Sequence, residues 1–267
     1  MSTSGCNFSF KHYGEILKAA VSSHYRFIAF DEIGKVKPDE KICILRHDID
    51  YSPDKIPFFS EKEIELGIRA TYFVQVAARP YNLREAENYK IIRELEKQGH
   101  RVGLHYDLAW NPELEFENLD KQCREDKEVF EKIMGVKPCD IISFHNPHKF
   151  GPKLLNAEIK GVHHSYEKRY FSDMKYLSDS QGWYEGCLCK IFEAGKYNRI
   201  QLLTHPYIWG HDHGNDFVKD MAELVNSRKK ELVDYLVNNH PVCKKNEERF
   251  RKMTGAYLKT SFVARLR

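Results

Sequence analysis

An α/β fold organised on a mainly parallel sheet is what this sequence of 267 residues predicts. Two observations carry the prediction. Short runs of β-branched, aromatic and aliphatic residues alternate with longer segments whose apolar residues recur at helical spacing, and such alternation implies βα units with right-handed crossovers. Several of the short runs also end in a residue able to do chemistry, and ligands of parallel sheets and barrels bind at the carboxyl ends of the strands.

The elements follow in order. His12–Ser23 is expected to be a helix, with Tyr13, Ile16, Leu17 and Ala20 on one face. Tyr25–Phe30 reads as a short strand and Lys35–Glu40 as a turn. Ile42–Leu45 is apolar and runs into Arg46, His47, Asp48, Ile49 and Asp50, the pattern of a buried parallel strand that leaves the core for a polar pocket. Residues two apart on a strand face the same side, so Asp48 and Asp50 project together. Ser52–Pro53 starts a helix that passes Phe58 and stops at Gly67. Ala70–Val76 is the next strand, and Leu83–Gln98 is the next helix, closed by Gly99.

Arg101–His105 is a strand that ends at a His. Leu114–Met134 is a long helix with Phe116, Leu119, Cys123, Phe130 and Ile133 on one stripe, closed by Gly135. Ile141–Phe144 runs into His145, and Ile200–Thr204 runs into His205. Residues 154–195 mix glycine, aromatic and polar positions and are expected to hold short strands and long loops. Asp216–Asn239 is the last long helix, and the tail after His240 shows no pattern.

Bulk properties remove several functional classes. The 42 basic and 39 acidic residues leave a formal charge of +3 with no long like-charged run, so neither nucleic acid nor an anionic membrane is an expected partner. The seven cysteines are odd in number and dispersed, unlike a disulfide framework. Cys187 and Cys189 form a lone C-x-C without a second pair, which speaks against a zinc ribbon. No run approaches the roughly 18 apolar residues of a membrane span. Met1–Phe10 is polar and lacks the apolar stretch of an export signal, so the cytoplasm is the expected location. One domain is expected over 1–267, with its chemistry in 40–210, an N-terminal helix and strand in 10–34 and a C-terminal helix and tail in 215–267.

Taken singly, a His after a strand is usually a packing or capping residue, and Asp48 and Asp50 would serve equally as caps for the helix after Pro53. Together the strand ends deliver Asp48, Asp50, His105, His145 and His205 to one rim, a set suited to metal binding or acid–base work.

These motifs, in this order over residues 40–210, resemble those of the polysaccharide deacetylase superfamily, the carbohydrate esterases that include chitin and peptidoglycan deacetylases. Arg46–His47–Asp48–Ile49–Asp50 resembles the first motif and Gly103–Leu104–His105–Tyr106–Asp107 the second. Phe144–His145–Asn146–Pro147 stands where the family has a third, of Arg-x-Pro type. Ser178–Asp179–Ser180–Gln181–Gly182–Trp183 resembles the fourth and Leu203–Thr204–His205–Pro206 the fifth. The resemblance implies an incomplete (β/α) barrel of about seven parallel strands. It also implies Asp48 as general base, Asp50 and His105 as metal ligands, His205 as general acid and Trp183 as a wall of the site.

One departure bears on the metal. The family's second motif continues to a further His four residues on, and Ala109 stands at that position here. The third ligand is then His145, at a position where Arg is usual, or Asp107; His145 is preferred because imidazole suits zinc and similar ions. Arg46, Asp179, Trp183 and Tyr207 are the candidate substrate contacts, the two aromatics offering flat faces to a sugar ring. Arg46 or His47 is also placed to pair with the charge of Asp48. His211–Asp212–His213 lies between glycines and reads as a loop, and His163 and His164 receive no role.

The function expected from the resemblance is a divalent-metal-dependent hydrolase, with zinc as first choice. It would remove an acetyl group from an N-acetylated sugar, a precursor of a surface glycan. Two other readings stand beside it: a different C–N hydrolase of amides or formamides on the same fold, and a catalytically silent carbohydrate-binding relative.

Overall fold

The computed structural model describes residues 7–180, 182–210 and 216–256. Its strands are β1 (Arg26–Phe27), β2 (Ile42–Ile49), β3 (Thr71–Val74), β4 (Arg101–Asp107), β5 (Ile141–His145), β6 (His163–His164), β7 (Lys175–Ser178) and β8 (Arg199–Thr204). They form one sheet in the order β6-β5-β4-β3-β2-β8-β7, with β1 beside the start of β2, and every pairing is parallel. Around it run the helices α1 (Phe10–Ser22), α2 (Ile56–Glu65), α3 (Ala86–Lys97), α4 (Leu119–Met134), α5 (Lys168–Phe171) and α6 (Leu188–Ala194). This is a half-barrel of seven parallel strands in a row, the incomplete (β/α) barrel that the motifs imply.

The central strand shows why. All eight residues of β2 are buried, as expected of a strand covered on both faces. Its neighbours β3 and β8 lie in register with it, pairing Asp48 with Phe73 and His47 with Thr204. The helix α1 is capped by the Ser9 side chain, which accepts the His12 N–H at 3.1 Å, and it buries Tyr13, Ile16, Leu17 and Ala20. At the far end of α4, Gly135 takes φ +65°, a left-handed geometry that glycine enters without a Cβ penalty.

Two stretches depart from expectation, and a third adds short helices to the short strands expected of it. The strand expected over Tyr25–Phe30 shrinks to β1, because Phe30–Lys35 winds into a 3-10 turn in which Glu32 accepts the Ala29 N–H at 2.7 Å. Residues 154–195 resolve into β6, α5, β7 and α6, elements of two to seven residues that are too short to leave a periodic signal. The tail after His240 contains α8 (Pro241–Lys245) and α9 (Glu247–Thr254), which follow α7 (Phe217–Asn239). The chain divides into two compact units, Met1–Asn215 and Asp216–Arg267. In the second, Val233 and Val237 of α7 pack with Phe250 and Ala256, and Arg251 binds Asp234 at 2.6 Å. No helix of the described residues is long and apolar enough to cross a membrane.

Between the edge strands β6 and β7 the half-barrel is filled by side chains. Tyr166, Phe171 and Tyr176 pack there with ring centroids 4.9–6.3 Å apart. Gln201 of β8 donates to the carbonyls of Ser165 and Tyr170 at 3.1 and 2.6 Å. Arg46 of β2 reaches the same region, with its guanidinium carbon 4.9 Å from the Tyr166 ring centre and 5.8 Å from that of Tyr176.

His164 on β6 gives a pH prediction. It is buried, with Nε2 bonded to the Ala157 carbonyl at 3.1 Å and Nδ1 accepting from the Tyr166 N–H at 3.3 Å, so a second proton has no acceptor. Burial pushes its pKa down to about 4. Between that value and the ordinary range near 6.5 the unfolded chain binds a proton that the folded chain refuses. Stability therefore falls as pH drops through this window, by on the order of 3 kcal/mol. His164→Gln should flatten that slope in denaturant unfolding measured between the two pH values; an unchanged slope would exclude His164 as its source.

Candidate metal and acid–base site

Alternation along β2 sorts the charged residues. Arg46, Asp48 and Asp50 face one side, and His47 and Ile49 face the other. His47 therefore does not pair with Asp48. Its Nε2 lies 2.7 Å from Glu63 of α2 and its Nδ1 lies 2.6 Å from the Thr204 hydroxyl. Glu63 is wholly buried and also accepts from Tyr13 at 2.5 Å and Tyr72 at 2.8 Å, with His100 at 3.5 Å. Burial raises its pKa, but the His47 and His100 rings and the Tyr13 hydroxyl bring it below the usual carboxylate value.

On the other face the carboxyl ends of four strands converge. His105 of β4 directs Nε2 to Asp50 Oδ1 at 3.0 Å, and His145 at the end of β5 places Nδ1 3.0 Å from the same oxygen. The donor atoms of Asp50, His105 and His145 all lie within 4.8 Å of one another. A carboxylate and two imidazoles form a donor set that zinc and its neighbours in the first transition row accept, so the residues fit a divalent cation. Burial alone would raise the pKa of Asp50, but hydrogen bonds from His105 and His145 hold it far below the carboxylate range. Asp107 turns away, accepting from the Asn146 side chain and the Ala109 N–H, each at 2.9 Å. Gly103 of β4 leaves room for the Phe73 ring and the Cys139 thiol, since a Cβ would come within 2.8 Å of their atoms.

Asp48 lies beneath this cluster. Its Oδ2 accepts from the Ser143 hydroxyl at 2.8 Å and pairs with Arg46 at 3.4 Å, while Oδ1 is buried with no hydrogen-bond partner among the described residues. Opposite stands His205, whose Nε2 is 4.0 Å from Asp50 Oδ2. Asp179, just beyond β7, binds His205 Nδ1 at 2.6 Å, the His205 N–H at 2.8 Å and the Trp209 ring N–H at 2.8 Å. Burial lowers the pKa of His205, but the carboxylates of Asp179, Asp50 and Asp48 raise it to about 9. With Nδ1 taken by Asp179, its Nε2–H is the proton presented to the cluster.

The remaining positions divide by exposure. Arg46, Asp179 and Trp183 are buried, and Trp183 stacks near Phe8 and Trp209. Tyr207 is half-buried and meets Tyr51 edge-on at 4.7 Å, the pair flanking His205 and His145. His163 pairs with Glu167 at 3.0 Å. His211–Asp212–His213 and Gln181 lie outside the described residues. Sequence reasoning missed Ser143, Tyr51 and Trp209. Ser143 was within reach, because it stands two residues before His145 and so shares its face.

No family model and no curated protein matches the chain. Among solved structures, the chain is similar to an activity-restored mutant of a CE4 family pseudoenzyme whose wild type is from Bacillus anthracis, at 14% identity and TM-score 0.42. That match covers 73% of this chain and spans slightly under two thirds, 65%, of the other. It is also similar to a Streptococcus pyogenes deacetylase in complex with acetate, at 13% identity over 84% of this chain and 92% of that one, with TM-score 0.41. A third likeness is to a family 4 acetyl xylan esterase from Clostridium thermocellum in complex with a cobalt ion: 16% identity, 70% and 85% coverage, TM-score 0.38.

Proposed function

We propose that the chain is a metal-dependent hydrolase that removes an acetyl group from an N-acetylated sugar, a precursor of a surface glycan met in the cytoplasm. The observation that carries this reading is the convergence of Asp50, His105 and His145 on one point, with the His205–Asp179 pair across from them. A divalent cation held by those three residues, with zinc as first choice, would lower the pKa of bound water and polarise a carbonyl oxygen.

The protein's own groups do the rest. Asp48 Oδ1, which has no hydrogen-bond partner among the described residues, takes the proton of the attacking water as general base. Arg46 and Ser143 fix the opposite oxygen of that carboxylate. His205 presents Nε2–H and gives its proton to the departing amine, and Asp179 keeps it in that tautomer. From the sequence, Arg46, Asp179 and Trp183 are expected against the substrate. Their burial leads us to assign Arg46 and Asp179 to positioning the base and the acid and Trp183 to packing, which leaves the half-buried Tyr207, with Tyr51, as the aromatic surface for a sugar ring.

His145→Ala tests the third ligand. Metal bound to the purified variant should fall well below one equivalent per chain, and full occupancy would move the assignment to Asp107. For the reaction, acetate and free amine are measured on incubation with N-acetylated sugars. Acetate with stoichiometric amine supports the proposal. Formate from an N-formyl substrate alone would replace it with a formamide hydrolase, and no product from fully metal-loaded protein would leave a silent carbohydrate binder.

A further inference from the structure

Away from the rim, α1 and α6 bring together a second set of metal-ligating side chains. The donor atoms of His12, Cys187 and Cys189 all lie within 4.8 Å of one another, and His12 Nε2 is already 3.3 Å from Cys187 Sγ. This cluster shares no residue with the Asp50 site. Two thiols and an imidazole are softer donors than the carboxylate and imidazoles of the rim, and they favour thiophilic cations.

Local geometry accounts for the convergence. Residues two apart within a helix point nearly opposite ways, so C-x-C inside a helix would splay its thiols. Cys187 is instead the residue before α6, with extended dihedrals of φ −65° and ψ 132°, which releases its side chain from the helical progression that sets Cys189. His12 is fixed from the other side: Ser9 caps its N–H, and its Nδ1 lies 2.9 Å from Glu15 Oε2. A carboxylate on one ring nitrogen settles the tautomer and directs the lone pair of the other outward, the arrangement commonly found behind metal-bound imidazoles. That lone pair faces Cys187. Both cysteines are half-buried, within reach of solvent and ions.

We propose that His12, Cys187 and Cys189 bind a thiophilic d10 cation, Zn²⁺, with solvent at the fourth position. Ligands around a tetrahedral zinc stand roughly 3.5–4 Å apart, so small side-chain rotations close the site. Binding would release the thiol protons and tie the first helix to a segment 175 residues away.

The test uses the whole chain stripped of metal and titrated with Co²⁺. Wild type should develop the near-ultraviolet thiolate-to-cobalt absorption, complete by two equivalents because the rim site also takes Co²⁺, and displaced by Zn²⁺. Asp50→Ala should keep that band, which separates this site from the rim. The double variant Cys187→Ser, Cys189→Ser should lose it. A wild type without the band, or a double variant that retains it, overturns the proposal.

Should the double variant fail to fold, wild type alone decides. Zn²⁺ should slow alkylation at Cys187 and Cys189 by about tenfold, read by mass spectrometry, and leave the half-buried Cys243 unchanged. Equal rates with and without Zn²⁺ overturn the proposal as surely.

Discussion

Asp48→Asn should keep its metal and lose its turnover by about 10²–10⁴-fold, whereas Asp50→Ala should lose both. The two carboxylates sit two residues apart on one face of β2 and differ in what surrounds them. Asp50 Oδ1 is met by two imidazole nitrogens at 3.0 Å, so deleting it removes the oxygen around which the donor set is arranged. Asp48 is held by Ser143 and Arg46 on Oδ2. In the amide variant the carbonyl oxygen keeps those two donors, which turns the NH₂ group to the position of Oδ1. An amide there cannot accept a proton, yet the fold and the metal donors are untouched. Metal content and acetate release on the same samples check this, and equal metal loss in the two variants would contradict the division of labour.

The second large effect is on stability. Glu63→Ala should destabilise the protein by about 3–5 kcal/mol, the cost of breaking a buried charged network from one side. Tyr13, Tyr72 and His47 all direct polar atoms at this carboxylate, and none of them reaches water. Glu63→Gln keeps the volume and part of the bonding, so it should cost about half as much or less. Urea midpoints of the two variants measure this, and an Ala variant within about 0.5 kcal/mol of wild type would mean that the network carries no net stability. The network also touches the chemistry, because His47 adjoins Asp48 in the chain and bonds Thr204, the residue before His205.

Strand ends were legible in the sequence because β2, β4, β5 and β8 each combine an apolar run with a polar terminus. The periodicity told that much but left open whether the sheet closes. Closure depends on β6 and β7, of two and four residues, whose pairing is settled by distant partners. Of the rim, Asp48, Asp50, His105, His145 and His205 could be read from the strand termini. The hidden part was depth. Arg46, Asp179 and Trp183 look like polar or aromatic residues at a binding surface, and nothing local in the chain says that β2 buries Arg46 under the rim or that Asp179 spends its oxygens on His205 and Trp209. The Glu63 network escaped for the same reason, since Tyr13 lies 50 residues from Glu63 and the members meet only when α1, α2, β2 and β3 pack.

Arg46 gives the open side of this barrel a meaning of its own. A closed barrel keeps its shape by strand pairing all the way round, but here the seam between β6 and β7 is filled by side chains, among them a guanidinium that also pairs with the Oδ2 of Asp48. Wall and proposed base share a contact. A change at the seam that moves Arg46 therefore also changes what Asp48, the proposed base, is paired with.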